Sequence, residues 1–259
     1  MKLYHYTKKT NFRLIWEKKT LKFSEWTNTN DVYEREKIFR ITYDSADHNG
    51  KRCDTETFRR FVSKVLEEIQ LYKQISLCQD YDGIKGYASP LMWGYYARYK
   101  RGSHFYSGVC LELDYSKLNI EPLILSDKIK YVDNLESTDL KWIDEPNENI
   151  AAQRFVRDNI DKLFFYKHKH WGYENEFRLI SKEKEFLDIS NAISAVYVLG
   201  EDKSTINSVK QIVKDKCKIE FLNVGGLGEL SLIATDLHAN ESGIRKAKAY
   251  NRRRNSKGI

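Results

Sequence analysis

Five short β-type stretches crowd the final third of the chain, at residues 174–181, 185–189, 195–199, 218–224 and 230–234, with a helical stretch at 205–216 among them. Strand-forming runs at hairpin spacing must find partners in a sheet, and each sheet face must be covered. Upstream, residues 3–6 read as a first strand, followed by a helix through residue 18 that Thr10 caps and that turns Phe12, Ile15 and Trp16 inward. Residues 21–26 alternate as a second strand, and a polar loop at 27–35 enters a helix near 34–43. Phe58, Phe61, Val62, Val65, Leu66 and Ile69 recur at helical spacing between residues 54 and 72, with a strand at 75–79 behind them. Ser89-Pro90 opens another helix, residues 108–114 and 128–132 read as strands, and a long helix covers 148–166. The expected class is α+β, a mostly antiparallel sheet with flanking helices.

Only three prolines punctuate the 259 residues, and no repeat or linker interrupts them. One catalytic-size domain over residues 1–243 is expected, with a helical insertion at 34–72 and a tail at 244–259. Charge supports that division. Of 44 Lys and Arg residues, seven (Arg245, Lys246, Lys248, Arg252, Arg253, Arg254, Lys257) lie in the tail; subtracting them leaves 37 against 37 Asp and Glu. A basic tail attracts phosphate through counterion release, so nucleic acid is the partner it suggests, although a frayed, solvated terminus has the same composition. No apolar run approaches the ~20 residues of a membrane-spanning helix. The start lacks the roughly 7–15-residue apolar stretch of a secretory signal, and a cytoplasmic protein is expected. Cys53, Cys78, Cys110 and Cys217 are scattered, which fits neither a disulfide framework nor a zinc site.

Three stretches carry chemistry-bearing residues. Alternation along Tyr4-His5-Tyr6-Thr7 sends His5 and Thr7 to one face and both tyrosines to the other. In Trp171-Gly172-Tyr173-Glu174-Asn175-Glu176-Phe177-Arg178, spacing of two puts Glu174, Glu176 and Arg178 on one face of a strand. Such a trio is either an exposed ion pair worth little or a carboxylate held beside a reacting sugar. Trp93, Tyr95 and Tyr96 could wall a slot for a flat heterocycle, or simply fill the core. Gly225-Gly226-Leu227-Gly228 reads as a tight turn, and His168 and His170 lack a third ligand, so no metal is expected.

LYHYT at 3–7, NTNDVYE, SPLMWGYYARYKRG, GVCLELD and HWGYENEFRLI, in that order, resemble the DUF2971 family of bacterial proteins. More distantly, the opening strand with its histidine and short following helix resembles ADP-ribosyltransferases of the His-Tyr-Glu type, including the DarT toxins. That resemblance implies a split sheet and an NAD cleft between the first strand and the strand at 174–181. His5, with Thr7, would hold the nicotinamide ribose; Tyr95 or Tyr96, beside Trp93, would stack on nicotinamide. Glu176 would stabilise positive charge on the ribose, while Glu174 orients or deprotonates the acceptor. Arg178, and Arg35 or Arg40, would clamp the diphosphate.

The same resemblance implies a mono-ADP-ribosyltransferase acting on RNA, DNA or protein, as a toxin or phage-defence effector restrained by a partner protein. Two other readings remain open: a noncatalytic nucleic-acid-binding module, and a metal-independent nuclease or NAD hydrolase using His5 with a carboxylate.

Overall fold

The computed structural model describes residues 1–35, 41–101, 104–199, 203–214, 216–224 and 230–232. A nine-stranded sheet forms its centre. The strands are β1 (Lys2–Thr7), β2 (Ser24–Glu25), β3 (Lys73–Gln79), β4 (Val109–Asp114), β5 (Leu125–Lys128), β6 (Glu176–Ser181), β7 (Ile193–Leu199), β8 (Lys218–Val224) and β9 (Leu230–Leu232). Their order is β9-β8-β7-β4-β1-β3-β6-β5, with β2 also paired to β3. All of these pairings are antiparallel except β7 with β8. The helix Lys203–Val213 lies between that parallel pair in sequence, as a parallel connection requires. This is the α+β architecture expected from the sequence.

The sheet parts in its middle. β1 pairs with β3 only at Leu3↔Gln79 and Tyr4↔Cys78, then follows β4 as far as Thr7. Further along the same edge of β3, β2 pairs Ser24 with Gln74 and Glu25 with Lys73. Among the described residues, 75–77 therefore face no strand on that edge, while β6 pairs with them on the other.

Alternation builds the layers. Leu3, Ile75, Leu77, Leu113, Phe177 and Leu179 pack on one face. Tyr4, Tyr6, Cys78, Cys110 and Tyr197 pack on the other. The helix Thr55–Leu71 starts where the Asp54 carboxylate accepts from the backbone N–H groups of Glu56 and Thr57, both at 3.0 Å. It packs through Phe61, Val65 and Ile69 against Ala151, Ala152 and Phe155 of the helix Glu148–Asp158.

Several expectations need correction. Thr10 lies inside the first helix, Lys9–Lys18, whose N-cap is Lys8 and has no side-chain cap. The strand at 21–26 divides into Thr20–Lys22 and β2, and Trp26 begins a 3₁₀ turn. Of the helix expected near 34–43, the described residues hold Val32–Arg35, 36–40 lie outside them, and Ile41–Asp44 is instead a strand that runs parallel to Thr138–Lys141. The helix at 148–166 breaks at Asn159 into Glu148–Asp158 and Ile160–Phe164. Arg40, the turn at 225–228, residues 233–234 and the tail at 244–259 lie outside the described residues.

Candidate functional site

A hollow of about 240 Å³ opens where β1 and β2 leave the edge of β3 bare. Tyr4, His5 and Tyr6 of β1, residues 74–78 of β3, Ser24 and Glu25 of β2, and Lys22 line it. Asn28, Thr29, Asn30 and Glu34 cover it, and Met92, Tyr96, Lys167, Glu174 and Glu176 complete the wall. Four of the five motif segments read from the sequence thus meet here although they are far apart along the chain; GVCLELD instead forms β4 beside β1.

Behind the wall sits an ion cluster. Arg178 is 0% exposed and Glu176 2%. The Arg178 Nε donates to Glu176 Oε1 at 2.7 Å, its Nη2 to Oε2 at 2.9 Å, and its Nη1 to the Phe164 carbonyl at 2.7 Å. Nη1 also pairs with Glu34. Lys167 Nζ lies 2.6 Å from Glu174 Oε2, 3.0 Å from Glu176 Oε2 and 3.6 Å from Glu34 Oε2. The hydroxyl of Tyr96 donates to Glu174 Oε1, and the hydroxyl of Tyr131 accepts the Glu176 N–H at 2.9 Å. Two cations hold the centre of three carboxylates, the place a metal would otherwise need.

The two glutamates differ in kind. Burial pushes Glu176 upward, yet Arg178 and Lys167 outweigh it and hold this carboxyl far below the ordinary range. Burial dominates at Glu174 instead: against the pull of Lys167, and helped by the neighbouring Glu176 charge, it moves upward. Glu176 is held as an anion, and Glu174 is the one of the pair that burial shifts toward its protonated form. Burial pushes the Tyr96 phenol upward, so it stays protonated and donates.

His5 reaches the hollow from an unexpected side. The registers place it with Leu3, on the face of the sheet opposite Tyr4, Cys78 and Glu176. It lines the same hollow as Glu176 because the strands have parted there. Its ring hydrogen-bonds the backbone of Ser76, in the strandless part of the β3 edge, and its Nδ1 is buried without a partner. Burial lowers this imidazole from 6.5 to about 4, with the Ser76 bond opposing, so it is neutral at pH 7.

The remaining sequence candidates divide. Tyr96 is on the hollow. Tyr95 is 63% exposed and leans on Tyr173, with ring centroids 6.1 Å apart. Trp93 is buried edge-on against Tyr6, its Nε1 donating to the Tyr87 carbonyl at 2.8 Å. Thr7 is buried in the ladder opposite Val109 and is not part of the lining. Arg35 is exposed, the last described residue of its helix. Arg178 has no face left for a diphosphate, so that assignment is corrected: it is the buried anchor of Glu176. The face shared by Glu176 and Arg178 is buried, and β6 begins only at Glu176. Glu174 ends a 3₁₀ turn, and Asn175, left-handed at φ 39°, swings the chain into the strand. Sequence reasoning missed Lys167 and Glu34; the lone lysine after Phe164-Phe165-Tyr166 is the one local hint of a buried cation.

The fold and site define an α+β protein with a split, mostly antiparallel sheet and a buried glutamate, lysine and arginine cluster on the split. Residues 92–179 match the model of DUF2971, described as a protein of unknown function, and that match supports the resemblance to DUF2971 read from the motifs. No curated protein and no solved structure matches the chain. Among the described residues, no helix is long and apolar enough to cross a membrane.

Proposed function

We propose that the hollow holds the nicotinamide-ribose end of NAD and that the protein transfers the ADP-ribosyl group to an acceptor, with nucleic acid the favoured class. One observation carries this reading: His5, Tyr96, Glu174 and Glu176 wall one hollow whose ionic lining is four carboxylates (Glu25, Glu34, Glu174, Glu176) against two ammonium groups (Lys22, Lys167). An anionic lining suits a cationic ring and a sugar that gains positive charge as its glycosidic bond stretches. The volume is below the ~300–1,000 Å³ of sites that engulf a drug-sized ligand, so it suits one end of a dinucleotide and leaves the phosphates outside.

NAD supplies an activated glycosidic bond whose leaving group departs neutral. Neutral His5 offers a ribose hydroxyl a hydrogen-bonding partner through Nδ1. Glu176, fixed as an anion, supplies the field that favours the developing charge. Glu174 takes the proton of the acceptor nucleophile, and Lys167 and Tyr96 hold its two oxygens in place. A toxin or defence role restrained by a partner protein would follow from such an activity.

A noncatalytic nucleic-acid-binding reading draws on a specific observation too: Glu34, Glu176, Lys167 and Arg178 already satisfy one another, as a structural clamp would. Labelled NAD incubated with separate pools of RNA, DNA and protein separates the two. Label should enter one pool, and Glu174→Gln should lower the rate by about a few hundredfold, on the order of 3–4 kcal/mol. Intact NAD in every pool with the wild-type protein would leave the clamp reading standing.

A further inference from the structure

Gln74 has no role in the cluster or in the transfer just described, yet it is 7% exposed, lines the hollow, and its Oε1 is buried without a hydrogen-bond partner. A buried amide oxygen left unmade is costly, and the large majority of such atoms in proteins are satisfied. Gln74 sits where β2 pairs with β3, at the border of the bare edge, and no salt bridge or cap explains its burial. A second enclosed atom in the same hollow, His5 Nδ1, is also unpartnered. Two unsatisfied polar atoms on one cavity point to a ligand that satisfies them.

We propose that Gln74 is a specificity residue, whose Oε1 accepts a hydrogen bond from a planar –NH₂ group on the ligand. The chemistry required is an sp² nitrogen bearing hydrogens, such as a primary carboxamide or the exocyclic amine of a heteroaromatic ring. The assignment deepens the NAD reading and rests on it for the probes. NAD carries both groups, the carboxamide on nicotinamide and the amine on adenine. Its deamido form has a carboxylate in place of the first, and its hypoxanthine form lacks the second.

Titration calorimetry with these three dinucleotides tests it without any turnover. Wild type should bind the deamido form roughly tenfold to a hundredfold more weakly than NAD; a loss with the hypoxanthine form instead would keep the Gln74 subsite and remove the nicotinamide-end reading. Gln74→Met, which keeps the length and removes the acceptor, should abolish that discrimination. Its unliganded Tm should equal or exceed that of wild type, because an unpaired buried oxygen has gone. Equal affinity of wild type for all three, tighter binding of either analogue, discrimination that survives in Gln74→Met, or a lower Tm for that variant would overturn the assignment. Should no dinucleotide bind, benzamide and adenosine become the probes. A Gln74-dependent rise in Tm with either one keeps the subsite and removes the NAD reading, and no rise with either removes both.

Discussion

At the scale of single residues, Glu174 and Glu176 stand two apart and do different work. Glu176 forms a two-pronged bond with a guanidinium that has no access to water, so Glu176→Gln leaves Arg178 as a buried charge facing a neutral amide. Breaking a buried pair from one side typically costs about 3–5 kcal/mol. A large fall in the urea midpoint is therefore expected for Glu176→Gln, and lost activity in that variant would say little about catalysis. Glu174 is already pushed toward its neutral form by burial. Glu174→Gln follows that shift, and because Lys167 keeps Glu34 and Glu176 as partners it should cost clearly less than Glu176→Gln. Matching denaturation curves for the two variants would refute the division of labour. Lys167 belongs with Glu176: with three carboxylates within 3.6 Å, Lys167→Met should destabilise the fold comparably, read by the same melts.

At the scale of elements, the turn that delivers Glu174 is as important as the glutamate. Asn175 holds φ 39°, and its Nδ2 donates to the carbonyls of Gln79 and Asp80, each at 3.0 Å. A left-handed residue costs L-amino acids other than Gly, Asn and Asp roughly 1–2 kcal/mol. Asn175→Ala adds the loss of two hydrogen bonds, so a stability loss of about 2 kcal/mol is expected, with weaker ligand binding at the hollow as Glu174 shifts. Asn175→Gly, which relieves the backbone cost, should recover part of the stability, and equal melting of the two variants would count against the backbone account. This turn also marks where sequence reading stopped. Helical spacing found the helix Thr55–Leu71 and the Ser89-Pro90 start because those signals are local. Period-two alternation put Glu174, Glu176 and Arg178 on one strand face, but the left-handed Asn175 shows no sign in a hydrophobic pattern. The break at Asn159 was hidden for the same reason, as helical periodicity resumes after it. The resemblance motifs did identify most of the wall of the hollow. Lys167 and Glu34 escaped because their partners lie on other elements, and no spacing rule relates residues 34, 167 and 178.

At the scale of the whole molecule, the parted sheet links the hollow to acid stability. Where β1 leaves β3, His5 fills the gap against the Ser76 backbone, and burial lowers its pKa from 6.5 to about 4. In the unfolded chain the imidazole takes a proton near 6.5; in the folded chain it does not until about 4. The unfolded state therefore binds more protons across that window, and stability falls as pH falls, by about 1.4 kcal/mol per pH unit and up to about 3 kcal/mol in all. Glu176, also lowered, acts in the same direction at more acid pH: its contribution is present above the ordinary carboxylate range and lost below it. Glu174, raised, acts oppositely, since the folded protein takes up its proton first. These groups share the hollow with Glu34, Lys167 and Lys22. In the window from 6.5 to about 4, His5 and Glu174 act against each other, and the difference between wild type and a His5 variant isolates the imidazole. Urea unfolding at pH 7.5, 5.5 and 4.5 should show His5 adding a fall of on the order of 1 M to the midpoint over the series. His5→Asn, which cannot titrate, should flatten most of that drop while starting from a lower midpoint at pH 7.5. A series as steep in His5→Asn as in wild type would mean that the imidazole is not sealed in the split, and the hollow would then be an ordinary wet surface cleft.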